Sequence, residues 1–173
     1  MGFIKGLAKL AGYLIGILVI VVGATMIVAR FSDGPMELIA GGPFTSGEPV
    51  STEPDWSFVK DYGTVEFQLL DPAASRTTWL AVVDGRVFIP SGYMTTWWGK
   101  IWKQWPSQAE KDGRAILRVD GKLYDRNLVR VTNDPAMGEV LAELGRKYAP
   151  EGQALPAIAV ESGYLWIFEL VPR

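Results

Sequence analysis

The residues best suited to do chemistry lie in one short stretch, SGYMTTWWGKIWKQWPSQ, at positions 91–108. Hydroxyl groups precede a predicted helix there, and two lysines follow inside it. The start of a helix carries unpaired N–H groups and the positive end of the helix dipole, so this arrangement favours a bound phosphate or carboxylate. The candidate residues are Ser91, Thr95, Thr96, Lys100 and Lys103.

The same stretch contains four tryptophans. Trp98, Trp102 and Trp105 lie at i, i+4 and i+7, which places them on one face of a helix. This face could pack across the domain, rest at the headgroup level of a bilayer with the lysines against lipid phosphates, or stack on a cofactor or quinone ring. We expect the packing alternative for these three, and we assign Trp97, which lies off that face, to a ligand or partner.

Composition excludes several kinds of site. The chain has no Cys and no His, which removes thiol nucleophiles, disulfides, Cys or His zinc sites and imidazole bases. Residues 31–173 hold 14 basic and 19 acidic side chains, a net charge of −5 that argues against nucleic acid as a partner. Residues 76–130 hold ten basic and five acidic side chains. This positive region would suit a small anion or anionic lipid, although a solvated sheet face is the commoner cause.

Four arginines follow the spacing of strands in this positive region: Arg114, Arg118, Arg126 and Arg130. Charge at period two could form an anion-binding face, but it is more often the solvated side of a sheet. We expect the solvated side.

An uncharged run of twenty residues, LAGYLIGILVIVVGATMIVA, lies between Lys9 and Arg30. At 1.5 Å rise per residue it matches a hydrocarbon core of roughly 30 Å. A cleaved signal peptide would have a shorter apolar core and small residues at its end, so the sequence favours a retained single-pass anchor over residues 1–30. The lipid bilayer is therefore the first expected partner.

The charges flanking this run predict its orientation. Lys5, Lys9 and the amino terminus precede it, whereas Arg30 is soon followed by Asp33. The positive-inside rule then places the amino terminus in the cytoplasm and the domain outside it, in the periplasm of a cell that has one. Small residues at 8, 12 and 16 could form a homodimer seam, but such glycines are also common in lone spans, so both alternatives stay open.

The remaining chain predicts a mainly β domain of the α+β class. Residues 31–56 form a linker or an extended segment lying on the domain, which covers 57–173. Asp84-Gly85 and Asp120-Gly121 predict two tight hairpins, and a stripe from Met137 to Tyr148 predicts a helix. A second helix is expected near 97–105, and two strands about the turn at 161–163. About seven strands and two flanking helices make a small barrel, with a predicted core of Val65, Phe67, Leu117, Val119, Leu141, Leu144, Trp166 and Phe168.

Several segments resemble the split β-barrel family of the pyridoxamine-phosphate-oxidase type. They are RTTWLAVVDGRVFIPSG, GKIWKQW, RAILRVDGKLYDRNLVRVTNDP, LGRKYA and LWIFELVP, preceded by GGPFTSGEP and DW. The resemblance implies a bound FMN or deazaflavin whose phosphate lies between Ser91 and Lys103. It also places Arg76 and Trp79 near the isoalloxazine ring. The turn YMTTWW is longer than the family pattern.

Two functions of different classes follow from these observations. One is a membrane-anchored oxidoreductase in which a flavin or deazaflavin supplies the electron chemistry and the anchor gives access to quinones. The other is a split barrel without a cofactor that serves as an accessory subunit of a membrane protein complex. The sequence leaves it undecided whether the chain is an enzyme.

Overall fold

The computed structural model describes residues 2–37 and 39–173, without the side chains of residues 2, 3, 8 and 100. The long helices are α1 (Gly2–Arg30) and α4 (Met137–Tyr148), and the short ones are α2 (Trp97–Trp102), α3 (Trp105–Lys111) and α5 (Ile158–Glu161). The strands are β1 (Glu48–Val50), β2 (Val65–Leu70), β3 (Ala73–Thr78), β4 (Ala81–Val83), β5 (Arg86–Ser91), β6 (Arg114–Val119), β7 (Lys122–Val131) and β8 (Trp166–Pro172). Two 3-10 turns, Trp56–Val59 and Pro150–Gly152, complete the elements of the described chain.

The strands form one curled antiparallel sheet, a half-barrel, in the order β3-β2-β6-β7-β8-β5-β4, and β1 pairs in parallel with β7. This confirms the predicted α+β class. Neighbouring strands in this order are antiparallel. The last residues of β2 and β5 and the first residues of β3, β6 and β8 therefore lie at the same end of the half-barrel. That end is hereafter the rim. Both Asp-Gly turns lie at the opposite end.

The two hairpins form as predicted. Asp84 and Gly85 have φ angles of 51° and 72°, and Asp120 and Gly121 have 49° and 73°. Positive φ at both central residues gives a type I′ turn, whose twist matches the strands on either side. β4 therefore pairs with β5, and β6 with β7.

The inner face of the half-barrel carries most of the predicted core. Phe67, Leu117 and Phe168 are fully buried, and Val65 and Val119 lie beside them. Trp166 is only half-buried against this cluster, because it opens β8 at the rim. Trp105, at the start of α3, contacts Phe67 and Phe168 with ring centroids 5.0 and 5.2 Å apart. The α2–α3 segment therefore closes the rim end of the interior.

α4 covers the outer face of β4, β5 and β8. Its stripe buries Val140, Leu141 and Leu144 against Phe88 and Ile167, as predicted. Asp134 stands just before the helix, where its carboxylate accepts a hydrogen bond from the Ala136 N–H at 2.9 Å. The periodic apolar pattern was therefore sufficient to find this helix.

Two predicted elements were wrong. The expected helix over 97–105 is two helices, because Lys103 leaves the helical region with φ −100° and ψ 74°. The expected strand before the turn at 161–163 is α5, a single helical turn. Leu165 N–H donates to the Ala159 carbonyl at 2.7 Å, so this turn folds back on the start of β8 instead of pairing as a strand.

α1 joins the half-barrel without a free linker. Ala29 is fully buried, and its carbonyl accepts from the Gly42 N–H at 2.9 Å. The Arg30 guanidinium donates to the carbonyl of Ala73, the first residue of β3, at 2.6 Å. The segment from Ile4 to Arg30 is long and apolar enough to cross a bilayer. Its end is therefore attached at the rim.

Candidate functional site

The corner between β5 and α2 is where the sequence predicts an anion site. Tyr93 adopts a left-handed φ of 66°, which reverses the chain after β5. The Thr96 hydroxyl then accepts from the Gly99 N–H at 3.1 Å and donates to the Tyr93 carbonyl at 2.7 Å. Thr96 is therefore the N-cap of α2, and its hydroxyl is already used in these two hydrogen bonds. The helix it starts has only six residues.

The other predicted anion ligands at this corner are placed differently. Ser91 is buried, with its hydroxyl 3.4 Å from the Met94 sulfur, whereas Thr95 is exposed. The Lys103 amine lies 5.5 Å from the centre of the Tyr93 ring, and burial lowers the pKa of this lysine. The side chain of Lys100 lies outside the described part of the chain. The hydroxyls of Ser91 and Thr96 thus face local partners.

The tryptophans do not share one buried face, so the expected packing of Trp98 and Trp102 is wrong. Trp105 is 7% exposed, but Trp98 is 44%, Trp102 70% and Trp97 76% exposed. The break at Lys103 rotates α3 relative to α2, which separates Trp105 from the others. Trp97 and Trp102 are therefore mostly exposed, and Trp98 is about half-exposed beside the Tyr93 ring, with centroids 4.8 Å apart.

Arg76 is the predicted cofactor residue whose buried positive charge would be stabilised most by a bound anion. It pairs across the sheet with Phe67, so it lies on the inner face of the edge strand β3. Its guanidinium reaches only the Ala74 carbonyl, at 3.4 Å, among the described residues. Burial, with a smaller contribution from nearby Arg30, lowers its pKa to about 10. An anion beside this side chain would be stabilised.

Trp79 lies far from the predicted phosphate corner. It follows β3, which ends away from the rim, and stacks on Tyr148 with ring centroids 4.7 Å apart. The Tyr148 hydroxyl in turn contacts the carbonyls of Gly63 and Leu80 at 2.9 and 3.1 Å. The structure therefore does not bring Trp79 together with Ser91, Thr95 and Thr96 around one cavity.

The four arginines with strand spacing are each paired with a carboxylate. The pairs are Arg114–Asp112, Arg118 with Glu66 and Asp33, Arg126–Glu53, and Arg130–Glu110. The hydroxyl of Ser46, followed by the N–H of Thr45 and with a smaller contribution from Arg118, keeps the pKa of Asp33 well below its usual range. The guanidinium groups thus connect strands and segments of the domain to one another.

Arg126 differs from the other three because it is 1% exposed. It points inward with Tyr124 and Leu128, and its guanidinium carbon lies 4.9 Å from the centre of the Trp56 ring. Glu53 accepts from both Arg126 and the Trp56 indole N–H. The expectation of a solvated side chain is wrong for this residue. Its alternation with Tyr124 and Leu128 was the sequence signal that it lies inside.

A further ion cluster lies on the outer face of the sheet, at the start of β5. Arg86 donates to Glu169 at 2.6 and 2.8 Å and to Asp134 at 2.7 and 3.1 Å. The contact with Arg86, followed by the bond from the Ala136 N–H, lowers the pKa of Asp134. This cluster joins β5, β8 and the start of α4, and sequence reasoning did not find it.

Open grooves in the described part of the chain include the following two. The larger, of about 650 Å³, runs beside the Asp120-Gly121 turn and is lined mostly by polar groups, including Asp33, Glu66 and Arg118. The smaller, of about 250 Å³, borders Asp84 and Asp134. Neither is lined by a predicted cofactor residue. The described residues contain no group of acidic side chains placed to hold a metal ion.

Comparisons with known proteins give two structures of similar architecture. No known family model matches the chain, and no curated protein matches its sequence. A conserved hypothetical protein from Mycobacterium tuberculosis is 16% identical, with a TM-score of 0.49 over 76% of this chain and 85% of that one. A proposed pyridoxamine 5′-phosphate oxidase from Listeria innocua is 12% identical, with a TM-score of 0.44 over 68% of this chain and 89% of that one. Neither likeness bears on activity.

Whether the chain could hold a flavin is therefore inferred from its own geometry. A flavin would need its phosphate donors and its ring wall around one space. Ser91 and Thr96 contact neighbouring groups, Trp79 lies beyond the far end of β3, and Arg76 contacts a backbone carbonyl and no carboxylate among the described residues. The described residues therefore do not bring Ser91, Thr96 and Trp79 around one space, and we derive no reaction step through a flavin.

Proposed function

We propose that the chain is a membrane-anchored module without a cofactor, which serves as an accessory subunit of a membrane protein complex. α1 crosses the bilayer as one span. Its amino terminus lies in the cytoplasm and the half-barrel lies on the extracytoplasmic side, as the flanking charges favour.

The observation that carries this proposal is the junction between α1 and β3. Nearly every side chain from Ile4 to Val28 is exposed, although most are apolar, so this helix needs an apolar surrounding outside the chain. Its last turn is held by the buried Ala29 and by the bond from Arg30 to Ala73. A helix fastened in this way fixes the half-barrel at the bilayer surface, as a subunit of a membrane complex requires.

The use of the polar side chains supports a role without catalysis. Arg86, Arg118 and Arg126 each hold one or two carboxylates, and these contacts connect separate elements. Groups employed in this way are unavailable to a substrate unless the contact is broken. These three arginines thus stabilise contacts between separate elements of the domain.

A second candidate is the membrane-anchored oxidoreductase, with FMN or deazaflavin as cofactor and a quinone as partner. The curled half-barrel is compatible with flavin binding. The observation favouring it is Arg76, whose buried guanidinium would gain a counter-ion from a cofactor phosphate.

The test is purification of the full chain from membranes in mild detergent. We expect a colourless protein, no flavin or deazaflavin by mass spectrometry after denaturation, and a native complex larger than the chain alone. A chain with no larger complex would contradict the accessory role. A stoichiometric bound flavin would establish the second candidate instead. In that case Arg76→Met should lose the cofactor, whereas Arg114→Met, at a surface pair with Asp112, should retain it.

A further inference from the structure

The outward face of α2 is apolar, which is the reverse of an ordinary surface helix. Trp97, Trp98, Ile101 and Trp102 form this face, hereafter the tryptophan patch, with exposed fractions of 76, 44, 66 and 70%. The inward side of α2 carries Gly99, which is buried close to the Tyr93 carbonyl. A helix that buries its glycine and exposes its indoles leaves its apolar area for something outside the chain.

The position of this patch identifies what covers it. α2 follows Ser91 at the end of β5, and α3 leads to Arg114 at the start of β6, so the patch lies at the rim. The end of α1 is attached to Ala73 at the same rim. A span that ends at this rim without a linker brings the bilayer surface to the same end of the half-barrel.

The chemistry at the rim matches the headgroup layer of a bilayer. Tryptophan and tyrosine concentrate at that depth because their rings are apolar and their N–H or O–H groups reach water. Phe31, directly after the span, is 85% exposed. The patch is followed by Lys103 and Lys111, which suit lipid phosphates. The rim also carries carboxylates, Asp71 in the β2–β3 turn and Asp112, which is paired with Arg114.

We propose that the tryptophan patch inserts into the headgroup layer of the bilayer that α1 crosses and fixes the half-barrel against the membrane surface at a second point. This inference rests on the proposed membrane anchor. It adds that the half-barrel contacts the lipid through α2 as well as being attached to the membrane by α1.

The placement of tryptophans makes this contact measurable in the full chain. All seven tryptophans lie at position 56 or later, so α1 contains none. Quenching of tryptophan fluorescence by lipid therefore reports the half-barrel alone. The probe is a vesicle of equal parts phosphatidylcholine and phosphatidylglycerol with bromine on the upper acyl carbons, compared with the same vesicle without bromine.

Two variants separate the patch from the other indoles. Trp97→Phe/Trp102→Phe removes the two most exposed indoles of the patch and should lose half or more of the bromine quenching. Trp79→Phe, a half-exposed indole away from the rim, should keep it. Both variants should retain the thermal midpoint of the parent, because Trp97 and Trp102 are mostly exposed and phenylalanine keeps an aromatic ring at position 79 beside Tyr148.

The outcomes distinguish this inference from the anchor. A chain that floats with vesicles but shows no bromine quenching, or equal quenching in both variants, overturns the lipid contact and leaves the anchor intact. A chain that does not float with vesicles overturns both. Quenching that Trp79→Phe keeps and that Trp97→Phe/Trp102→Phe loses by half or more supports the inference.

Discussion

At the scale of single residues, two tryptophans three positions apart in one segment have opposite environments. Trp105 is buried between Phe67 and Phe168, whereas Trp102 is mostly exposed. Trp105→Ala should lower the free energy of unfolding by about 3–5 kcal/mol, the range for a buried aromatic. Trp102→Ala should change it by less than about 0.5 kcal/mol, as surface substitutions do.

Thermal and urea unfolding of the detergent-solubilised full chain would measure both changes. Equal destabilisation by the two substitutions would mean that α2 packs on the half-barrel as α3 does.

The buried Arg126 makes a second prediction at this scale. Removing its partner leaves an uncompensated charge inside the half-barrel, so Glu53→Ala should cost about 1–3 kcal/mol. Adding Arg126→Met removes that charge and keeps an apolar side chain of similar length. The double variant should therefore be more stable than Glu53→Ala alone.

A double-mutant cycle from urea unfolding gives the coupling directly. Additive losses from Glu53→Ala and Arg126→Met would show that the two side chains do not interact.

At the scale of elements, α4 contains two glycines with different surroundings. A Cβ on Gly145 would lie 2.1 Å from the Gln153 carbonyl oxygen, whereas one on Gly138 would have no neighbour within 4 Å. Gly145→Ala should destabilise by about 1–3 kcal/mol because backbone must move. Gly138→Ala should be neutral or stabilise by up to about 1 kcal/mol, since alanine favours a helix.

Circular dichroism during thermal unfolding tests this pair. A Gly145→Ala chain as stable as its parent would place the segment after Pro150 further from α4.

Elements whose conformation depends on residues close together in the sequence could be predicted. Asp-Gly turns carry their own backbone preference, and the stripe of α4 reports which side is buried, so both hairpins and this helix could be predicted. The break between α2 and α3 depends on Lys103, which has no local signal. Pro106, in the first turn of α3, was the one indication that a new helix begins there.

Side-chain roles at the candidate site were harder to predict than elements. The types of Ser91 and Thr96 suit an anion, but their contacts depend on how the β5–α2 corner folds, and Thr96 became a helix cap. Contacts between distant positions, such as Arg86 with Asp134 and Glu169, arise from strand order and cannot be inferred from spacing.

At the scale of the whole molecule, α1 should remain in the mature protein. Its uncharged run is longer than the apolar core of a signal peptide, and Ala29 is packed into the domain it would leave. Intact mass and amino-terminal sequencing of membrane-extracted protein should give the full chain, resistant to alkaline carbonate. Material beginning near Arg30 would contradict a retained anchor.

The junction also determines how the sheet meets other chains. β3 is an edge strand, and edge strands left open pair readily with strands of neighbouring molecules. Here Gly41 exchanges two backbone hydrogen bonds with Ser75, and Arg30 occupies the Ala73 carbonyl. A protease that released the half-barrel by cutting directly after Gly41 would uncover this edge. The freed domain would then be prone to aggregate, so solubility after cleavage depends on the stretch that ties it to α1.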